Sequence, residues 1–98
     1  MRISIRPSAR AHLILDTEIR ALVSFPALRL SLEARRPGAQ PVLFIGPAVT
    51  GQPWIEVIAD LADPLVVDVF HAMMLRRSLI ESLGLDELID PEYGPQRT

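Results

Sequence analysis

Residues 54–71 read WIEVIADLADPLVVDVFH, and this stretch decides the fold. Two runs rich in branched residues, Trp54 to Asp60 and Leu65 to His71, flank Leu61-Ala62-Asp63-Pro64. Short apolar runs bounded by turn residues read as strands. A connection this short joins antiparallel neighbours, because a parallel crossover takes about a dozen residues or more. The stretch is therefore a hairpin. An even-numbered loop sets Trp54 opposite His71 and Glu56 opposite Val69. Trp54, Glu56, Ile58, Val67, Val69 and His71 then share one face, and Ile55, Val57, Ala59, Val66, Asp68 and Phe70 the other. An odd-numbered loop breaks that grouping, since a slip of one residue exchanges the faces.

Outward from the hairpin, Val42-Leu43-Phe44-Ile45 is a further strand, closed by the turn residues Gly46-Pro47. Leu28, Leu30 and Leu32 alternate with Arg29, Ser31 and Glu33, which makes Ala27 to Ala34 a strand despite the helical preference of Leu and Ala. Arg35-Arg36-Pro37-Gly38 is a turn. At the start, Arg2 to Arg6 alternates around Ile3 and Ile5, and Pro7 stops the strand. Ser8 is the expected N-cap of a helix beginning at Ala9. Asp16 or Thr17 caps a second helix, with Glu18 in its first turn, an apolar stripe of Ile19, Leu22 and Val23, and an end near Ser24 imposed by Pro26. From about Met74 the period becomes helical through Leu75, Leu79, Ile80 and Leu83, with Gly84 at the C′ position. The expectation is a single α+β domain over residues 1–84, followed by an acidic polar tail over 85–98. Its small antiparallel sheet of four or five strands is covered on one face by helices, in the order β-α-α-β-β-β-α.

The chain has 98 residues, enough for one domain with a sizeable core. It has no cysteine, which excludes disulfides, thiolate metal sites and a cysteine nucleophile. Its two histidines and scattered carboxylates show no metal-ligand spacing, and no Gly-rich phosphate loop or serine elbow is present, so no metal or cofactor is expected. The N-terminus lacks the apolar run of a signal peptide, and no window approaches the roughly 20 apolar residues of a membrane span. The expected location is cytoplasmic, with no membrane partner.

Lysine is absent, so every Lys/Arg-type charge is an arginine, a residue suited to forked contacts with phosphate. Residues 1–36 carry seven arginines against three carboxylates, while residues 37–75 carry four carboxylates and no arginine. A basic first third can meet an anion. An acidic remainder is unlike a general nucleic-acid binder. In the even-loop register, Glu56 and His71 are diagonal neighbours with Arg76 just beyond the strand end. A carboxylate, an imidazole and a guanidinium in that arrangement supply base, acid and phosphate clamp. The same residues also suit a solvated carboxylate and a polar strand tip. Trp54 is either a large core residue or a platform for a stacked base. Arg76-Arg77 is either a solvated pair or a phosphate contact working with Arg2 and Arg6.

Several segments together resemble the RelE/ParE-like toxins of bacterial toxin–antitoxin pairs, particularly the BrnT-like branch. They are Ile3-Ser4-Ile5 with Ala9-Arg10-Ala11-His12, Val42 to Gly46, Gly51 to Val57, and Val69-Phe70-His71-Ala72-Met73 with Leu75-Arg76. Ile45 to Arg76 also looks like small actinobacterial proteins of the same type. The resemblance spans roughly residues 2–83. It implies a metal-independent endoribonuclease acting on mRNA and neutralised by an antitoxin. It makes His71, Glu56 and Arg76 the catalytic candidates, and Arg2, Arg6, Arg10, Trp54 and Arg77 the RNA-binding ones. The alternative is a non-catalytic module of the same fold that binds a partner protein or forms a homodimer.

Overall fold

The computed structural model describes residues 2–98. Its elements are β1 (Arg2–Ile5), a 3-10 turn (Pro7–Arg10), α1 (Asp16–Ser24), β2 (Leu28–Ser31), β3 (Pro41–Pro47), β4 (Trp54–Asp60), β5 (Val66–Met74) and α2 (Arg77–Ser82). The class is α+β, with a five-stranded sheet in the order β1-β5-β4-β3-β2.

The sheet is mixed, where an antiparallel one was expected. β2, β3, β4 and β5 form an antiparallel meander, but β1 runs parallel to β5, with Ile3 beside Val67 and Ile5 beside Val69. The short-loop rule governs only strands adjacent in sequence. β1 is separated from β5 by most of the chain and is free of it.

The first expected helix is a single 3-10 turn. Ser8 does not cap it: the Ser8 hydroxyl donates to the Phe70 carbonyl at 2.7 Å and fastens the turn to β5. Leu13 then adopts a left-handed backbone, φ 65°, which stops helical propagation. Of the apolar triplet 13–15 only Ile14 enters the core, while Leu13 and Leu15 stay exposed. In α1 the cap is Leu15, one residue before the expected Asp16. Its N–H donates to the Glu18 carboxylate at 2.9 Å, so one half of a capping box forms without a capping hydroxyl.

Two apolar layers sandwich the sheet. On one side Ala9, Ile14, Ile19 and Leu22 pack on Phe44, Ile55, Val57, Val67, Val69 and Ala72. On the other, Leu43, Ile45, Leu75, Ile80 and Leu85 meet Leu30, Trp54, Ile58 and Tyr93. The second face is therefore covered too, by α2 and the residues after it, but only over part of its length. Residues 85–98 lie against the body. The Trp54 N–H donates to the Glu92 carbonyl at 2.8 Å, the Gln96 amide to the Met74 carbonyl at 2.8 Å, and the Arg97 guanidinium to the Leu13 carbonyl at 3.1 Å and to the Glu18 carboxylate at 2.8 Å.

A bulge in β5 sets the faces of the hairpin. Ile58 lies opposite His71 and Ala59 opposite Val69, so Phe70 is the inserted residue. Glu56 faces Met73, and the expected pairings Trp54–His71 and Glu56–Val69 do not form. Before the bulge Val67 and Val69 point into the first layer with Ile55, Val57 and Ala59; after it His71 and Met73 share the face of Glu56 and Ile58. The expected grouping of Val67 and Val69 with Glu56 is corrected accordingly.

Gly46 sits where β3 runs closest to the start of β2. A Cβ there would lie 2.8 Å from the Ala27 backbone nitrogen and 3.2 Å from a Leu22 methyl, and its φ is +153°. Gly46→Ala is expected to lower unfolding stability by about 1–3 kcal/mol, through crowding plus backbone strain. Urea denaturation checks this, and an unchanged midpoint would contradict the packing described.

Candidate functional site

The uncovered part of the second face holds a groove. It is a cavity of about 660 Å³ between the β4–β5 hairpin and the chain connecting β2 to β3. Leu32, Ile58 and Phe70 give it an apolar floor. Arg6, Arg35, Arg36, Arg76 and His71 line it against two carboxylates, Glu33 and Asp60. A second cavity, of about 490 Å³, has Arg29 and Asp63 as its only charged lining residues and gathers no comparable set.

Beside the groove lies Glu56, the one charged side chain that is buried among the described residues, with no exposed surface. A buried carboxylate is costly unless its oxygens are bonded. Here they accept four hydrogen bonds. One oxygen accepts from the Arg76 backbone N–H at 3.0 Å and Arg76 Nε at 2.9 Å. The other accepts from Arg76 Nη2 at 2.8 Å and His71 Nε2 at 2.9 Å. No buried side-chain polar atom among the described residues lacks a partner. Burial pushes the Glu56 carboxyl upward, but the His71 and Arg76 donors outweigh it and hold the group below its ordinary value of 4.5. Arg76 is pushed up, first by its hydrogen bond to Glu56.

The consequence for His71 is a fixed tautomer. An imidazole donating from Nε2 to a carboxylate leaves Nδ1 as the nitrogen able to accept a proton. The His71 side chain is 23% exposed and Arg76 is 42% exposed, so both reach solvent while Glu56 does not. The carboxylate therefore orients the ring and the guanidinium. It has no lone pair left over to act as a base itself.

The structure brings Glu56, His71, Arg76 and Arg6 together and leaves the other sequence candidates outside the groove. Arg6 forms a bidentate pair with Asp68 and lines the groove wall. Arg10 is paired with Asp16 at 2.9 Å. Arg77 stacks over the Tyr93 ring at 4.3 Å. Trp54 packs into the second apolar layer. Arg2 is exposed at the outer strand β1, opposite Val66. Arg35, Arg36 and Phe70 are groove residues that sequence reasoning did not single out for function. The adjacent arginines ahead of Pro37-Gly38 were the available signal, absorbed there into a turn. His12 was also passed over. Its ring centroid lies 6.3 Å from that of His71. Among the described residues no group of three or more His, Asp or Glu side chains is placed to hold a metal ion.

Removing the Glu56 carboxylate leaves Arg76 and His71 without their shared acceptor. Glu56→Ala is expected to cost about 3–5 kcal/mol, the range for breaking a buried pair, as read by guanidinium denaturation. The pH dependence has a defined sign. The folded carboxyl titrates below the unfolded one, so its contribution is present above the ordinary value of 4.5 and is lost as pH falls through the lower folded value. Wild type should therefore lose more stability than Glu56→Gln between about pH 6 and pH 3; equal losses would show that Glu56 is not the group responsible. No family model, curated protein or solved structure matches the chain, so its function must be inferred from the chemistry of its own residues.

Proposed function

We propose that the chain is a toxin-like, metal-independent endoribonuclease that binds the RNA backbone in the arginine-lined groove and cleaves it at His71. The observation that carries this is the orientation of His71, in the lining of an arginine-bearing groove, by a buried, fully bonded Glu56. A neutral Nδ1 accepts the proton of a ribose 2′-hydroxyl, and the oxygen attacks the adjacent phosphorus. Arg35, Arg36 and the exposed part of Arg76 offset the charge that collects on the phosphoryl oxygens. The apolar floor at Ile58 and Phe70 gives an unstacked base a surface to lie on. The RelE-like resemblance agrees with this chemistry and adds an antitoxin as the protein partner.

A second reading is a non-catalytic interaction module. It is favoured by the exposed large apolar side chains Leu13, Leu15, Phe25, Val49, Leu65 and Leu88. The two readings separate on one experiment. Purified protein is incubated with mRNA in chelator, with and without ribosomes, and cleavage ends are mapped. The ribonuclease predicts products ending in a 2′,3′-cyclic phosphate, and a fall of about 10²- to 10⁴-fold in rate for His71→Ala. Intact RNA under both conditions, with no growth arrest on expression, would leave the interaction module. Arg35→Ala with Arg36→Ala should weaken RNA binding and flatten its salt dependence by about 0.7 in log–log slope for each phosphate no longer neutralised.

A further inference from the structure

We propose that His12 is the second catalytic group of the same site, the acid that protonates the leaving 5′-oxygen. This rests on the ribonuclease reading of His71.

Cleavage by 2′-oxygen attack requires a base on the attacking side and an acid on the leaving side, each within about 2.6–3.2 Å of its oxygen. One imidazole cannot fill both roles at once. Glu56 is ionised and its oxygens are occupied, so it cannot donate. Arg76 is held by Glu56, and a guanidinium does not release its proton near neutral pH. The chain has two histidines and no cysteine, which leaves His12 as the remaining imidazole that can hand over a proton.

The fold places it for that role. The His12 and His71 rings stand edge to face, 6.3 Å between centroids and 62° between planes, although the residues are far apart in sequence. His12 is exposed and its ring makes no hydrogen bond among the described residues. Its backbone is nonetheless anchored on both sides. Ser8 is tied to the Phe70 carbonyl, the Leu13 carbonyl accepts from Arg97, and Ile14 is buried. A free ring on a fixed backbone beside an oriented imidazole is what a proton donor to a bound phosphate needs. The charged groups around the pair are Glu56 from β4 and Arg76 after β5, which bond each other beside His71; Arg10 with Asp16, a pair on the segment carrying His12; and Arg97 with Glu18, a pair whose guanidinium reaches the Leu13 carbonyl.

The step balances. His71 Nδ1 takes the 2′-hydroxyl proton as the 2′-oxygen–phosphorus bond forms. The phosphorus–5′-oxygen bond breaks with its electron pair on the 5′-oxygen, and the His12 imidazolium supplies that oxygen with a proton. The products are a 2′,3′-cyclic phosphate and a 5′-hydroxyl, and both imidazoles recover through water.

The test uses the full chain, an oligonucleotide with one ribose cleavage site, and the same oligonucleotide with sulfur replacing the bridging 5′-oxygen. A thiolate leaves without protonation. His12→Gln is expected to slow cleavage of the oxygen substrate about 10²- to 10⁴-fold. It should also abolish the alkaline limb of the pH–rate profile and cleave the sulfur substrate at close to the wild-type rate. His71→Gln should be slow on both, and thermal melting of His12→Gln should match wild type. His12→Gln cleaving the oxygen substrate at the wild-type rate overturns the assignment while leaving the ribonuclease intact. Equal slowing on both substrates also overturns it, assigning His12 to structure. A wild-type protein that cleaves neither substrate overturns both readings.

Discussion

A carboxylate with no exposed surface sits at the centre of this small sheet, and the neighbouring structure is arranged to satisfy it. Taking Glu56 out of water costs several kcal/mol unless its oxygens find donors. Three of the four donors come from Arg76: its backbone N–H, Nε and Nη2. The backbone bond fixes the residue between the end of β5 and the start of α2. Glu56 thereby sets where the last strand hands over to the last helix, and so how much of the second sheet face α2 can cover. The groove is what α2 leaves open. The fourth donor, His71, reaches in from the adjacent strand, and its ring orientation follows from the same carboxylate.

The bulge at Phe70 is the second constraint. A regular β5 would place His71 on the Glu56 face only by also turning Val67 and Val69 toward solvent. One inserted residue lets both demands be met: valines into the core before it, an imidazole toward the carboxylate after it. Bulges often stand beside sites for this reason, because they re-aim one side chain without sacrificing the ladder on either side.

Much of this was legible in the chain. The ranges of β4 and α1 follow from branched-residue runs and the Pro26 stop, and the alternating leucines of β2 outweighed their helical preference; the last helix ends near Gly84 as expected, but β5 runs on to Met74 and α2 begins only at Arg77, not at about Met74. Glu56 and His71 were expected as diagonal neighbours, and they are, but through a different register: Glu56 faces Met73, with His71 two residues before it. What could not be read was long-range. Parallel pairing of β1 with β5 leaves no local trace in a five-residue alternation. The apolar triplet 13–15 carries no mark that Leu13 takes a left-handed backbone. A polar, proline-containing stretch after Gly84 conceals Tyr93 and Ile89 on the second apolar layer. The 59 positions separating His12 from His71 hide a proximity created at long range by the Ser8–Phe70 bond, the burial of Ile14 and the Arg97 contact.

The parallel pairing of the first strand with the fifth has a consequence for biosynthesis. Ile3 and Ile5 cannot reach their places beside Val67 and Val69 until β5 has been made, and Leu13 and Glu18 cannot be engaged by Arg97 until it has been made too. Emerging from the ribosome, the leading segment must wait unpaired while the meander assembles behind it. Contacts that join the two ends of a chain carry the largest loop-closure entropy and retard folding. The pairing of β1 with β5 is therefore a late closure of the sheet, made only after the meander that it joins.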